Sequence, residues 1–235
     1  MNKPLLEPPA GYVFTPQDNR RVLYICGPHG TGKSTLIHDL ASFNKDRVRE
    51  QIVHVDSDDE LTRQVWRIGL HCVEHRENLA FVQTQSKDSV VIGDRCFLDD
   101  YNYMEAFVKL GWLERAKRED LVDVTERLYE ATGTPTPEKF IILLPPFEWN
   151  VARIEERWQA GEPAKWCEHN FEYLKAVRSE FAATAQLLGK KHVKLIEETD
   201  RTDRVHKVKE FLVENELEDF IVEGKTIVES HWTGS

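Results

Sequence analysis

Five short apolar runs punctuate the chain, at residues 21–26, 51–55, 89–93, 139–144 and 192–196. They are nearly continuous rather than alternating, the pattern of strands buried on both faces. Between them apolar positions recur at helical spacing. Residues 33–43 bring Leu36, Ile37 and Leu40 to one face, and further helices are expected at about 59–85, 98–131, 148–160, 168–189 and 203–214. Strands alternating with helices predict an α/β fold with a parallel sheet covered on both faces and right-handed crossovers. Two flanks depart from the pattern. Residues 1–19 hold prolines at positions 4, 8, 9 and 16 and read as a proline-rich arm. Residues 216–235 are a C-terminal extension in which 221–232 suits a small hairpin about Glu223-Gly224. A single domain over 20–215 is expected between them, with no internal repeat and no low-complexity tract.

Composition narrows the class. The chain has 235 residues, 40% of them hydrophobic, and carries 31 Lys+Arg against 41 Asp+Glu, a formal charge of −10. That apolar content excludes a disordered acidic chain. No stretch approaches the roughly 20 apolar residues of a membrane span, and the N-terminus lacks the apolar core of a signal peptide. The acidity counts against nonspecific wrapping of duplex DNA, which needs clustered Lys and Arg. Cys26, Cys72, Cys96 and Cys167 are far apart with no CxxC pair, so neither a structural zinc nor a disulfide framework is expected, and a cytoplasmic protein is.

The chemistry starts at Gly27-Pro28-His29-Gly30-Thr31-Gly32-Lys33-Ser34-Thr35, which fits G-x-x-x-x-G-K-[ST] in full between an expected strand and an expected helix. The glycines let the backbone curl so that N–H groups face phosphate oxygens, and the helix N-terminus adds its dipole. Lys33 would bridge the β- and γ-phosphates of a nucleoside triphosphate, and Ser34 would ligate Mg²⁺. No Asn-Lys-x-Asp follows a late strand, which disfavours a GTPase. In Val90-Val-Ile-Gly-Asp94 an acidic strand end appears, but Arg95 follows at once. Asp94 can steady the metal and Arg95 can reach the transferring phosphoryl group or its acceptor.

These motifs resemble the deoxynucleoside kinase and thymidylate kinase branch of the P-loop kinases, over roughly residues 21 to 213. The residues that carry the resemblance are Asp56 after the second strand, Asp94-Arg95-Cys96 after the third, and Arg153-Ile-Glu-Glu-Arg157 in an arginine-bearing lid over about 153–170. The resemblance implies a three-layer sandwich whose five-stranded parallel sheet runs 2-3-1-4-5. It implies Asp56 as general base, with Asp58 and Asp59 as competitors, and Arg95, Arg153 and Arg157 as stabilisers of transition-state charge. Asp100 and Tyr103 would line the acceptor pocket, and Glu162 would meet a sugar hydroxyl. The third lid arginine of the family is Gln159 here, with Lys165 as a substitute, and the segment 164–168 with Trp166 is an insertion. Gln64, Gln83 and Gln85 are candidate base readers, Arg76 a candidate acceptor-phosphate ligand, and the loop 199–203 a cradle for adenine.

The expected activity is therefore transfer of the γ-phosphoryl group of ATP to a small nucleoside or nucleotide acceptor. A nucleoside monophosphate, a modified-base hydroxyl or a nucleic-acid end are alternative acceptors, the last disfavoured by the net charge. A regulatory nucleotide-binding NTPase is the competing class. No membrane partner is expected, and a homodimer is left open.

Overall fold

The computed structural model describes residues 14–43, 48–51, 54–56, 60–164, 167–217, 219–225 and 229–231. In chain order the elements are α1 (Pro16–Arg20), β1 (Val22–Cys26), α2 (Lys33–Phe43), β2 (Val48–Gln51), β3 (His54–Asp56), α3 (Glu60–Gln83), β4 (Ser89–Asp94), α4 (Phe97–Lys109), α5 (Arg115–Ala131), β5 (Lys139–Leu143), α6 (Phe147–Gln159), α7 (Phe171–Leu188), β6 (Val193–Ile196), α8 (Arg201–Glu214), β7 (Asp219–Lys225) and β8 (Glu229–His231).

Six strands form one all-parallel sheet in the order β2-β7-β4-β1-β5-β6. The sheet strands expected from sequence keep the relative order 2-3-1-4-5. The C-terminal segment corrects the hairpin expectation: 219–225 is one continuous strand that enters between β2 and β4. The expected strand 51–55 is also divided. Its first residue closes β2, and His54–Asp56 pairs instead with β8 in a separate two-stranded sheet.

Alternation along β1 sorts the core into two layers. Val22, Tyr24 and Cys26 face Leu79 and Val82 of α3, Leu98, Tyr103 and Phe107 of α4, and Tyr173, Val177 and Phe181 of α7. Leu23 and Ile25 face Leu36, Ile37 and Leu40 of α2 and Val205, Val208 and Phe211 of α8. Helices thus cover both faces, which the fully buried β1, β4 and β5 require. The long helix expected over 98–131 is two helices. The chain turns through Leu110 and Gly111, whose φ of +71° suits glycine, and restarts after Glu114. The end of the expected arm is ordered as α1, where Thr15 and Asp18 form a capping box. Asn19 of that turn donates to Thr136 O at 2.8 Å and Glu138 Oε1 at 3.0 Å. No described helix is long and apolar enough to cross a membrane.

Candidate active site

Sheet register decides which residues meet. Ile25 pairs with Asp94, and Arg95 N donates to Ile25 O at 3.0 Å. The last residues of β4 therefore lie beside the first residues of the phosphate loop, at the carboxyl edge where ligands of such sheets gather. The loop backbone takes positive φ at Gly27, Gly30 and Gly32. A Cβ at Gly27 would come 2.6 Å from Leu143 O, and one at Gly30 would come 2.8 Å from Asn150 O. Only glycine permits this curl against β5 and α6, and α2 starts within the loop, where Leu36 N donates to Gly32 O at 2.9 Å. Curled backbone followed by a helix N-terminus fits a polyphosphate.

Lys33 is buried, and its Nζ donates to Gly27 O at 2.6 Å and Pro28 O at 2.7 Å. Thr31 Oγ1 donates to Pro28 O at 3.0 Å, and Arg204 Nη1 donates to Thr31 O at 2.9 Å. Burial, aided by the neighbouring Arg95, pulls Lys33 down to about 7, against the opposing pull of Asp99 and Asp94. Asp94 is a buried carboxylate at the end of β4, while Ser34 and Thr35 lie on the first turn of α2, Ser34 exposed. An exposed hydroxyl and a carboxylate at adjoining element ends are hard oxygen donors of the kind Mg²⁺ takes.

Arg95 adopts φ +68°, a left-handed conformation for a non-glycine. Burial opposes its charge, but Tyr103, Asp99 and Asp94 outweigh that and hold it firmly cationic. Its Nη1 lies 3.6 Å from Asp99 Oδ1, which also faces Gly27 N at 3.4 Å. Asp99, which sequence reasoning passed over, thus ties the arginine to the loop. Asp100 is fully buried, with His71 Nδ1 at 2.6 Å and Arg67 Nη2 at 3.1 Å. Burial would raise its carboxyl, but His71 and Arg67 hold it down. Tyr103 packs edge-on to His29 at 5.3 Å and under the Arg67 guanidinium at 5.6 Å. Asp100 and Tyr103 are thus buried beside the phosphate loop and Arg95, Tyr103 against His29 and Asp100 under the field of Arg95.

The lid residues separate. Arg157 Nη2 donates to Glu168 Oε1 at 2.6 Å, and that oxygen lies 3.7 Å from His29 Nδ1. Arg153 is exposed, pairs with Glu156 at 3.0 Å and lies over the Trp149 ring. Arg204 covers the same ring at 4.6 Å. A Cβ at Gly32 would come 2.5 Å from Arg204 Nη1, so this aromatic–cation stack adjoins the phosphate loop and the 199–203 segment, which is loop only to Asp200 and enters α8 at Arg201. Glu162 is 56% exposed and 3.8 Å from Arg157 Nη1, whereas Glu168 is 1% exposed. The buried lid glutamate is Glu168. Asp56 ends β3; its side chain, with Asp58, Asp59, Lys165 and Trp166, lies outside the described residues.

Other candidates have structural partners. Arg76 binds Thr132 O and, at 3.1 Å, Thr134 Oγ1, and it covers Phe14, so it anchors the α5–β5 turn. Gln83 donates to Asp18 at 3.1 Å and Gln85 to Thr84 at 2.8 Å. Gln64 is buried in α3.

A family model described as an AAA domain matches residues 22–184, a span from β1 into α7 that includes the phosphate loop, Asp94-Arg95 and the lid. No curated protein matches the chain in sequence. Among solved structures, deoxyadenosine kinase from M. mycoides with bound dATP superposes with a TM-score of 0.59 at 15% identity, covering 81% of this chain and 98% of that one. The same kinase with bound dCTP gives 0.55 at 15% identity, covering 82% and 99%. At that identity the likeness is one of fold, and the fold is that of a deoxynucleoside kinase-like P-loop kinase. With most of its sheet and its entire phosphate loop inside the matched span, the chain belongs to the AAA domain family of P-loop proteins.

Proposed function

We propose that the protein is an ATP- and Mg²⁺-dependent phosphotransferase that moves the γ-phosphoryl group of ATP to a nucleoside or nucleotide. The observation that carries this reading is the glycine-curled phosphate loop with buried Lys33, beside which Arg95 and the buried Asp100, bracketed by Arg67 and His71, are gathered. Burying a carboxylate against the Arg67 guanidinium and the His71 imidazole places a polar point within an otherwise apolar layer, as a specific acceptor site needs. The likeness to kinase structures holding dATP or dCTP supports a nucleoside-type acceptor.

The residues divide the work. Backbone N–H groups of 29–35 and the Lys33 ammonium bind the phosphates of the donor, with Gly27, His29 and Thr31 shaping the loop. Ser34 and Asp94 would hold Mg²⁺, which would supply neutralisation of the phosphate charge. Arg95 and Arg157, with Arg153 from the exposed face of α6, stabilise the charge that builds on the moving phosphoryl group. Asp56 accepts the proton of the acceptor hydroxyl as its oxygen attacks. Asp100 and Tyr103 fix the acceptor, and Glu162 stands at the outer rim of the lid.

The test is ADP production with and without a panel of nucleosides and nucleoside monophosphates. Acceptor-stimulated turnover that Lys33→Ala abolishes supports the reading; tight ATP binding with no stimulation across the panel sinks it in favour of a regulatory NTPase. Asp56→Asn is expected to keep ATP binding and to lower turnover about 100-fold.

A further inference from the structure

The segment between α6 and α7 turns a carboxylate inward at a position where a short polar connection normally faces water. Cys167 takes φ +54°, a left-handed conformation for a non-glycine residue. The next residue, Glu168, is 1% exposed. Asn170 then caps α7 by accepting from Tyr173 N at 3.1 Å, and Asn170 N donates to Cys167 O at 2.9 Å. The strained turn and the cap together fix the direction in which Glu168 points.

Two site residues lie on that carboxylate. Arg157 Nη2 donates to Oε1 at 2.6 Å, and His29 Nδ1 lies 3.7 Å from the same oxygen. His29 is held on its other side by Tyr173, whose hydroxyl is 3.0 Å from Nε2. One buried oxygen thus joins the lid arginine to the phosphate loop. A buried carboxylate is tolerated only when paired. The Arg157 fork has five N–H donors, so a bond through one Nη leaves others for an incoming oxyanion.

We propose that Glu168 is the positioning residue of the lid: it holds the Arg157 guanidinium beside His29 of the phosphate loop, ready for the terminal phosphoryl group of the nucleotide. The inference rests on the phosphotransferase reading. It assigns Glu168 no contact with the reacting atoms, and it makes the glutamate at 168, rather than Glu162, the acidic partner of the lid arginine.

The experiment compares ADP and ATP affinity by titration calorimetry in the full chain and in Glu168→Gln, Glu168→Asp, Arg157→Gln and the Arg157→Gln/Glu168→Gln double variant. Arg157 serves the terminal phosphoryl group, so Glu168→Gln is expected to weaken ATP about tenfold while ADP changes less than about twofold. Glu168→Asp keeps the charge on a shorter arm and is expected to fall between. The double variant is expected to bind ATP as Arg157→Gln does, because each substitution breaks the same unit. Equal losses for ADP and ATP, tighter ATP binding in Glu168→Gln, or losses that add in the double variant each overturn the positioning role and leave nucleotide binding by the loop intact. A wild-type chain that binds neither nucleotide overturns the phosphotransferase reading and this inference with it.

Discussion

Lys33 sits where two fields oppose each other. Burial and Arg95 push its proton off and bring it from an ordinary 10.5 to about 7, while Asp94 and Asp99 pull the other way. A bound polyanion favours the charged form. Above the folded value the free protein carries a largely neutral lysine, so ATP binding must take up a proton; below that value it must not. Calorimetry in buffers of different ionisation enthalpy is expected to show uptake approaching one proton at about pH 8, little at about pH 6, and none in Lys33→Met. His71 gives a second titration. Burial lowers it and Asp100 outweighs burial, so it stands above 6.5. Asp100→Asn removes the carboxylate and leaves burial and Arg67 opposed only by the weaker pull of Glu74, so ¹⁵N NMR of the imidazole is expected to show the His71 midpoint fall; an unchanged midpoint contradicts the pairing. At this scale the phosphate loop was fully legible, because its chemistry is contiguous in sequence. Asp99 and Glu168 were not, since each acquires its role only when strand register or a strained turn brings it to a distant partner.

Elements were legible where a single period runs uninterrupted. The expected 33–43 helix coincides with α2, and the β4 and β5 runs differ from expectation by one residue at an end. The reading failed where periodicity outlasted geometry. Apolar spacing continues across Leu110-Gly111-Trp112, so α4 and α5 read as one helix, although Gly111 turns the backbone. Glu223-Gly224 resembled a hairpin turn, but the preceding Phe220-Ile221-Val222 run is buried in the sheet, and that run was the available signal for β7. Glycines divide in the same way. Gly69 lies inside α3 with open space about its would-be Cβ, so Gly69→Ala is expected to stabilise the protein by about 0.5–1 kcal/mol in chemical denaturation. Gly27→Ala meets Leu143 O at 2.6 Å in a φ +143° backbone and is expected to cost about 1–3 kcal/mol and to lose ATP binding. Destabilisation by Gly69→Ala, or tolerance of Gly27→Ala, would contradict the placement of α3 or the loop.

For the whole molecule the net charge of −10 proved a poor guide to the working surface. Lys33, Arg95 and, through Glu168 and His29, Arg157 lie at the phosphate loop, with Arg204 on the loop's Thr31 and Arg67 on Asp100. A sheet whose order places β1 between β4 and β5 makes this convergence possible, because loops after neighbouring parallel strands open to the same side. Strand–helix alternation gave the parallel sheet and the resemblance to nucleoside kinases its order, while the insertion of β7 depended on long-range pairing that no local pattern encodes. The account stands or falls on group transfer. The decisive measurement follows the γ-phosphoryl group from labelled ATP in the presence of Mg²⁺ and a panel of nucleosides and nucleoside monophosphates. The account predicts label in a phosphorylated acceptor, lost in Lys33→Ala. Label found only in ATP and inorganic phosphate, with every acceptor recovered unchanged, would contradict it.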